Sequence, residues 1–424
     1  MFKNFKFPNV FKESFYEGKN VKQIMKNSLM KKILVFALAA LLILGTAACG
    51  SEAETESKEE STSVSEALLD DNSKTESVSQ IESESESEPE SESEPESAVS
   101  EPEETLNLVV ANEKTNLLTG EDTLTEGAVN KRPIALSVNN IKDCWPQYGI
   151  SDADIIFEIP VEYNITRLMA LYGDFTQVKN VCSIRSMRYY YPILAEGFDA
   201  QYIHCGADGV HAAPMIKELG IKTYDAGSDP LGVFARDQDR INSGYAYEHT
   251  LYFKGEKYAE KAEASSSWRT DLDEDHIGKL AFKFSADTVV PEGKEAYELS
   301  VNFGSGYISD FHYNEEENVY YKDHNGTKHM DIGSGLQLSF DNLFFLETDI
   351  HIFAGDTAGR KEIDIYADNY KGYYVTNGQI TEITWTKETY DSPLIFRTLD
   401  GEELVINTGK TYIAVCTADA LTVE

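Results

Sequence analysis

The chain has 424 residues, with 37 Lys and Arg against 73 Asp and Glu and a formal net charge of −36. So acidic a chain lacks the concentrated basic face that nucleic acid requires, and anionic lipid repels it. With 41% apolar residues it is still long enough to bury a large core.

Residues 1–29 are rich in Phe and Lys and carry no fold pattern. They read as an extended n-region, or as sequence upstream of a start at Met25 or Met30. Next come Met30-Lys31-Lys32, an apolar run from Ile33 to Leu44, and Thr46-Ala47-Ala48-Cys49-Gly50. A basic flank, a run of about a dozen apolar residues and small residues before a cysteine form a secretory signal with a lipobox-like end. A bilayer core needs about 20 apolar residues, so the run is expected to be cleaved rather than to span. Cys49 then becomes the mature first residue and the lipidation site, which tethers the protein to the outer face of the cytoplasmic membrane. An uncleaved anchor is the alternative, and it leaves the protein on the same side.

From Gly50 to about residue 105 the chain is Ser- and Glu-rich, with 20 acidic residues against Lys58 and Lys74 in 51–104. It has no aromatic residue and cannot bury enough apolar surface to offset its ordering entropy. The reading is a disordered, self-repelling tether with an end-to-end distance of about 40 Å or more.

The remainder divides into an expected N-terminal domain, 106–262, and a C-terminal domain, 276–420. Its fold class is α+β: an N-terminal α/β-type domain with a mostly buried sheet, then a mainly antiparallel β domain. Pro133–Val138, Ala153–Glu158 and Thr166–Tyr172 predict strands, and their near-continuous apolar character predicts burial on both faces. Tyr189–Phe198 predicts a short helix despite Pro192, Gln201–His204 a strand, and Val210–Leu219 a helix stopped at Gly220. Further on, Ile350–Phe353, Ile363–Tyr366 and Ile380–Trp385 alternate as strands do. Asn325-Gly326, Asn377-Gly378 and Asp400-Gly401 supply hairpin turns that need positive φ. Cys144, Cys182, Cys205 and Cys416 permit disulfides in an exported chain, but their spacing pairs none of them.

No His-Glu-x-x-His, Gly-x-Ser-x-Gly or phosphate-loop spacing occurs, and nothing in the sequence implies a cofactor. Chemistry-bearing residues concentrate instead between 154 and 250. Arg167, Arg185, Ser186, Arg188 and His249 are the candidate ligand-binding set, with Arg236 and Arg240 nearby. Guanidinium groups near strand ends and a helix start suit a carboxylate or phosphate. Glu158, Glu162 and His204 are the candidates for proton transfer. The competing interpretation is structural, with Glu162–Arg167 a buried ion pair and His204 a hydrogen-bonded core residue. A metal site from His204, Cys205, Asp208 and His211 matches no common ligand spacing, so no metal is expected. Cysteine chemistry at Cys205 or Cys182 would need an activating base. Trp145, Tyr148 and Tyr189–Tyr191 suit either a sugar-stacking surface or the core.

Across these residues the chain resembles the YerB-like lipoproteins of Gram-positive bacteria, which pair an N-terminal and a C-terminal domain of unknown function. The shared run is Arg132-Pro133, Asn139-Asn140, Pro146-Gln147-x-Gly149, Ala153–Glu158, Glu162, Thr166-Arg167, Arg185–Arg188, His204 with Gly206, Arg240 and His249. Gly372-Tyr373-Tyr374, Ile383-Thr384-Trp385-x-Lys387, Asp400-Gly401 and Gly409–Ile413 continue it. The chain departs at Cys182-Ser183-Ile184, where the family has Gly-Pro before its Arg-Ser pair, and at His249-Thr250, where His-Asn is usual. The resemblance implies an exported two-domain lipoprotein and no established activity. Two functional readings stand: a lipoprotein binding an anionic ligand or protein partner of the cell envelope, or an enzyme (hydrolase or transferase) acting on an anionic envelope polymer.

Overall fold

The computed structural model describes residues 106–265 and 268–424. The signal segment, Cys49 and the acidic tether lie outside the described residues. Among those described, the central framework is an eleven-stranded mixed sheet.

Three strands form its middle: β1 (Ile134–Asn139), β2 (Ile155–Glu162) and β3 (Ile165–Tyr172), with β2 and β1 each antiparallel to β3. All are buried along almost their whole length, as their continuous apolar runs predict. After β4 (Asn180–Cys182), helix α1 (Tyr190–Glu196) accommodates Pro192 because proline is tolerated in a first turn, where its missing N–H has no helical partner. Strand β5 (Gln201–His204) pairs parallel to β1.

Helix α2 (Ala212–Leu219) starts on Asp208, whose carboxylate accepts from the N–H groups of Val210, His211 and Ala212. It stops at Gly220, which adopts the left-handed conformation (φ 75°) that glycine takes without cost. Strand β6 (Tyr224–Asp225) then pairs parallel to β5. Next are β7 (Phe234–Arg236), helix α3 (Gln238–Asn242), β8 (Leu251–Lys254) and helix α4 (Gly255–Ala262), with β4, β8 and β7 forming a small separate sheet.

The C-terminal region is mainly antiparallel. Strands β9 (Glu298–Asn302), β10 (Ile308–Asn314) and β11 (Val319–His324) belong to a six-stranded antiparallel sheet. β12 (Asn342–Glu347), β13 (Ala367–Thr376) and β14 (Gln379–Lys387) join the central sheet, and Asn377-Gly378 turns β13 into β14 with φ of 50° and 71°. β15 (Thr411–Cys416) runs parallel to both β12 and β2 and sits between them. The sheet therefore passes without a break from C-terminal strands to N-terminal ones.

Each central strand feeds two cores by alternation. Ile155, Phe157 and Ile159 face the layer that holds Tyr190, Tyr191 and Leu194 of α1. Ile156 faces a layer built from Leu299, Val301, Phe311 and Tyr320 of the second sheet, with Tyr258 of α4. The four described cysteines are free.

Candidate functional site

The carboxyl ends of the parallel strands β1 and β5 carry the candidate residues, the usual position for ligands on sheets of this kind. Residues 185–187 lie along the exit of β5: Cys205 N–H donates to Arg185 O (3.0 Å) and Met187 N–H to Gly206 O (2.9 Å). Arg185 N–H donates to Ser137 O (2.9 Å), which locks the segment to β1 as well. Gly206 takes φ +73°, and a Cβ built there would lie 3.7 Å from the Ser186 hydroxyl.

The three arginines of this region have different partners. Arg188 donates through Nε and Nη2 to Glu162 Oε1, and Arg167 Nη2 lies 3.8 Å from Glu162 Oε2. Arg167 Nη1 also donates to Ser186 O, while its Nε is buried without a partner. A β-bulge between Pro160 and Glu162 turns Glu162 toward these guanidinium groups. Glu162, Arg167 and Arg188 are thus one largely buried ionic cluster.

Arg185 is different. Its Nε is buried without a partner among the described residues, where its one ionic contact runs from Nη1 to Glu248 Oε2 (3.2 Å), a side chain 58% exposed. Beside it, His249 is buried and accepts at Nδ1 from Asn139 Nδ2 (3.1 Å). Those partners assign the neutral tautomer, which leaves Nε2–H directed toward Glu248, 3.6 Å away. Burial, then the Arg185 charge, holds the His249 pKa below its ordinary value. Arg236 donates to Tyr247 O (2.6 Å) and lies 4.0 Å over the Tyr247 ring. Both Arg236 and Arg185 act on the half-buried Cys205, whose thiol burial nevertheless pushes up. The thiol is therefore not set up as a nucleophile. Arg240 is buried and structural, donating to Cys144 O (2.9 Å) and to Pro146 O.

The two proton-transfer candidates nearest the strand ends do not meet. Glu158 shares its face of β2 with Ile156, whereas His204 shares its face of β5 with Tyr202, in the opposite core. A substrate cannot touch both through an intact sheet. Glu158 is wholly enclosed: Asn140, Thr166, Ser309 and Tyr412 donate to it at 2.7–3.0 Å, and Lys322 Nζ lies 3.3 Å away. Burial alone would raise its pKa, but the Lys322 charge and these donors outweigh burial and hold it below the usual range. His204 spends both nitrogens, Nδ1 on Gly206 O (2.7 Å) and Nε2 on Thr223 Oγ1 (2.8 Å), and burial lowers its pKa. It is bonded as a core histidine. Glu162 is engaged by the two arginines.

The residues named for a metal are occupied individually. Asp208 caps α2 and meets Arg360 Nε at 3.0 Å, and His211 Nε2 lies 3.1 Å from Asp356 Oδ2. Among the described residues no three His, Cys, Asp or Glu side chains converge on a metal position. Tyr189, Tyr190 and Tyr191 fill the core, with their hydroxyls donating to Ile363, Pro160 and Arg167 carbonyls. A cavity lined by Asn116, Leu118, Lys131, Pro133 and Leu272 lies at the far end of β1 and β3, and its lining contains none of the candidate residues.

Sequence reasoning missed Lys322, His324 and Arg360. A signal was present for the first two: in β11 the alternation puts Lys322 and His324 in step with the buried Tyr320.

Two family matches cover most of these elements. Residues 118–268 match the family described as "Protein of unknown function (DUF3048) N-terminal domain", and residues 299–413 match its C-terminal domain. Among curated proteins the chain is similar to YerB of Bacillus subtilis (strain 168), which is named as a lipoprotein. The identity is 28% over 305 residues, 70% of this chain and 85% of the relative. Among solved structures it is similar to the crystal structure of YerB protein from Bacillus subtilis. There the TM-score is 0.60 at 25% identity, covering 72% of this chain and 98% of that one.

Proposed function

The chain belongs to the family that pairs the DUF3048 N-terminal and C-terminal domains, and from that premise we propose a membrane-tethered, extracytoplasmic binding protein that takes an anionic group of the cell envelope at Arg185. Acylated Cys49 attaches it to the outer face of the cytoplasmic membrane. The lipoprotein name of the Bacillus relative supports this address. The Nε2–H of His249, which faces the same Glu248 as Arg185 does, supplies a second contact to the anion.

One observation carries the choice of Arg185. Among the described residues its guanidinium keeps a buried N–H unpaired, and the carboxylate it meets there, Glu248, is exposed. An exposed pair of this kind stabilises by only about 0–1 kcal/mol, so a ligand anion can replace Glu248 at little cost. Taking Arg188 or Arg167 from Glu162 would instead break a buried pair, at about 3–5 kcal/mol. The ligand therefore goes where exchange is cheap.

The test is Arg185→Glu, with inorganic phosphate and pyrophosphate as probes in calorimetric titration. Phosphate binding should fall by about tenfold or more, the worth of one charge-assisted contact, with the thermal midpoint within a few degrees of wild type. Undiminished anion binding, or unfolding of the variant with no ligand-specific loss, would overturn the proposal.

A further inference from the structure

Trp145 lies in the loop between β1 and β2, and its Nε1 is buried without a partner. Its ring stacks on His329 at 4.3 Å and tilts against His324 at 4.9 Å. His324, at the end of β11, is 4% exposed, and neither of its ring nitrogens has a hydrogen-bond partner. Tyr307 closes the group edge-on to His324, with ring centroids 5.7 Å apart. Both Trp145 and Tyr307 are half-buried, so the group reaches the surface.

Three buried ring nitrogens without partners sit in one place, and each such group costs about 1–3 kcal/mol if left unpaired. The neighbours cannot supply them. His329 is committed to Lys322 and Gln147, and Lys322 to Glu158. Burial, then the Lys322 charge, keeps His324 neutral, with its pKa pushed down to about 4. The group therefore holds two unpaired N–H donors and one unpaired lone pair among aromatic rings. A cation would be repelled by Lys322, and a wholly apolar molecule would leave the nitrogens unpaired. Hydroxyl groups, which donate and accept, on a ring with apolar faces answer all three.

We propose that Trp145, His324 and Tyr307 form a binding position for a neutral sugar ring. The position adjoins the arginine site through the backbone around Trp145. Arg240 binds Cys144 O (2.9 Å) and Pro146 O, and also reaches His249 O (3.4 Å). Tyr245 donates to Trp145 O (2.8 Å). The loop that presents Trp145 is thus fastened to the segment that presents His249. The ligand class that uses both positions is an acidic glycan, its sugar ring at Trp145 and its anionic group at Arg185; this last step rests on the anion reading above.

The experiment follows indole N–H resonances of the 15N-labelled whole chain while titrating a neutral N-acetylglucosamine trisaccharide and, separately, inorganic phosphate. Trp145 is one of three tryptophans, and its resonance is assigned with Trp145→Phe or, if that variant does not fold, from its Overhauser contacts to His329. The sugar should shift the Trp145 indole signal at about millimolar concentration, and Trp145→Phe should weaken sugar binding about tenfold. Phosphate should leave the Trp145 signal in place. An indole signal unmoved by about 100 mM sugar would overturn the sugar site, whatever phosphate does, and would assign the nitrogens to bound water. Sugar binding without any phosphate binding would keep the site and discard the acidic-glycan step.

Discussion

His324 brings two unpaired ring nitrogens into the interior, and its environment resists a proton from several sides. Burial strips its solvation and Lys322 repels it, while Glu158 and Asp310 favour the charged ring too weakly to compensate. The folded pKa is pushed down to about 4, against an ordinary histidine value of 6.5. Between those two pH values the unfolded chain binds a proton that the folded chain refuses. Stability is therefore complete above pH 6.5 and is lost as the pH falls toward 4, by about 3 kcal/mol for this group. Urea unfolding at pH 7 and at pH 4.5 should show a smaller acid loss in His324→Phe than in wild type. An identical loss in both proteins would remove His324 as the cause.

At the level of elements, local pattern carried most of the N-terminal half. β1, β2, β3, β5, α1 and α2 lie where the apolar runs and the Gly220 stop put them, α1 despite Pro192. Pairing between distant segments was not legible. Residues Tyr412–Val415 form a run buried on both faces, but nothing in that run names β12 and β2 as its neighbours. That insertion has a consequence. A fragment ending at residue 268 lacks β15 and leaves one long edge of β2 unpaired, with Phe157 and Ile159 deprived of cover. Such a fragment, compared with residues 106–424 by proton–nitrogen correlation spectra, should give poorly dispersed signals and aggregate. Cooperative unfolding of the isolated fragment would show that β15 is dispensable.

Across the whole molecule, the candidate site was half legible. The Arg185–Arg188 grouping follows from chain proximity, and its nearness to β1, β5 and His249 is what the fold adds. The face of Glu158 was not legible, because β2 is apolar on both sides and alternation gives no sign of which way a lone carboxylate points. Its partner comes from β11, about 160 residues later in the chain, and the two meet with both side chains fully buried. Removing one member alone strands the other charge, so Glu158→Gln or Lys322→Met should each cost about 3–5 kcal/mol. The combined variant removes both charges, and its loss should fall short of the sum by about 2 kcal/mol or more. Because the sheet runs unbroken from β14 to β6, circular dichroism and tryptophan fluorescence should report one coincident urea transition in every variant. Additive losses, or a second transition, would mean that the Glu158–Lys322 pair does not bind the two halves into one cooperative unit.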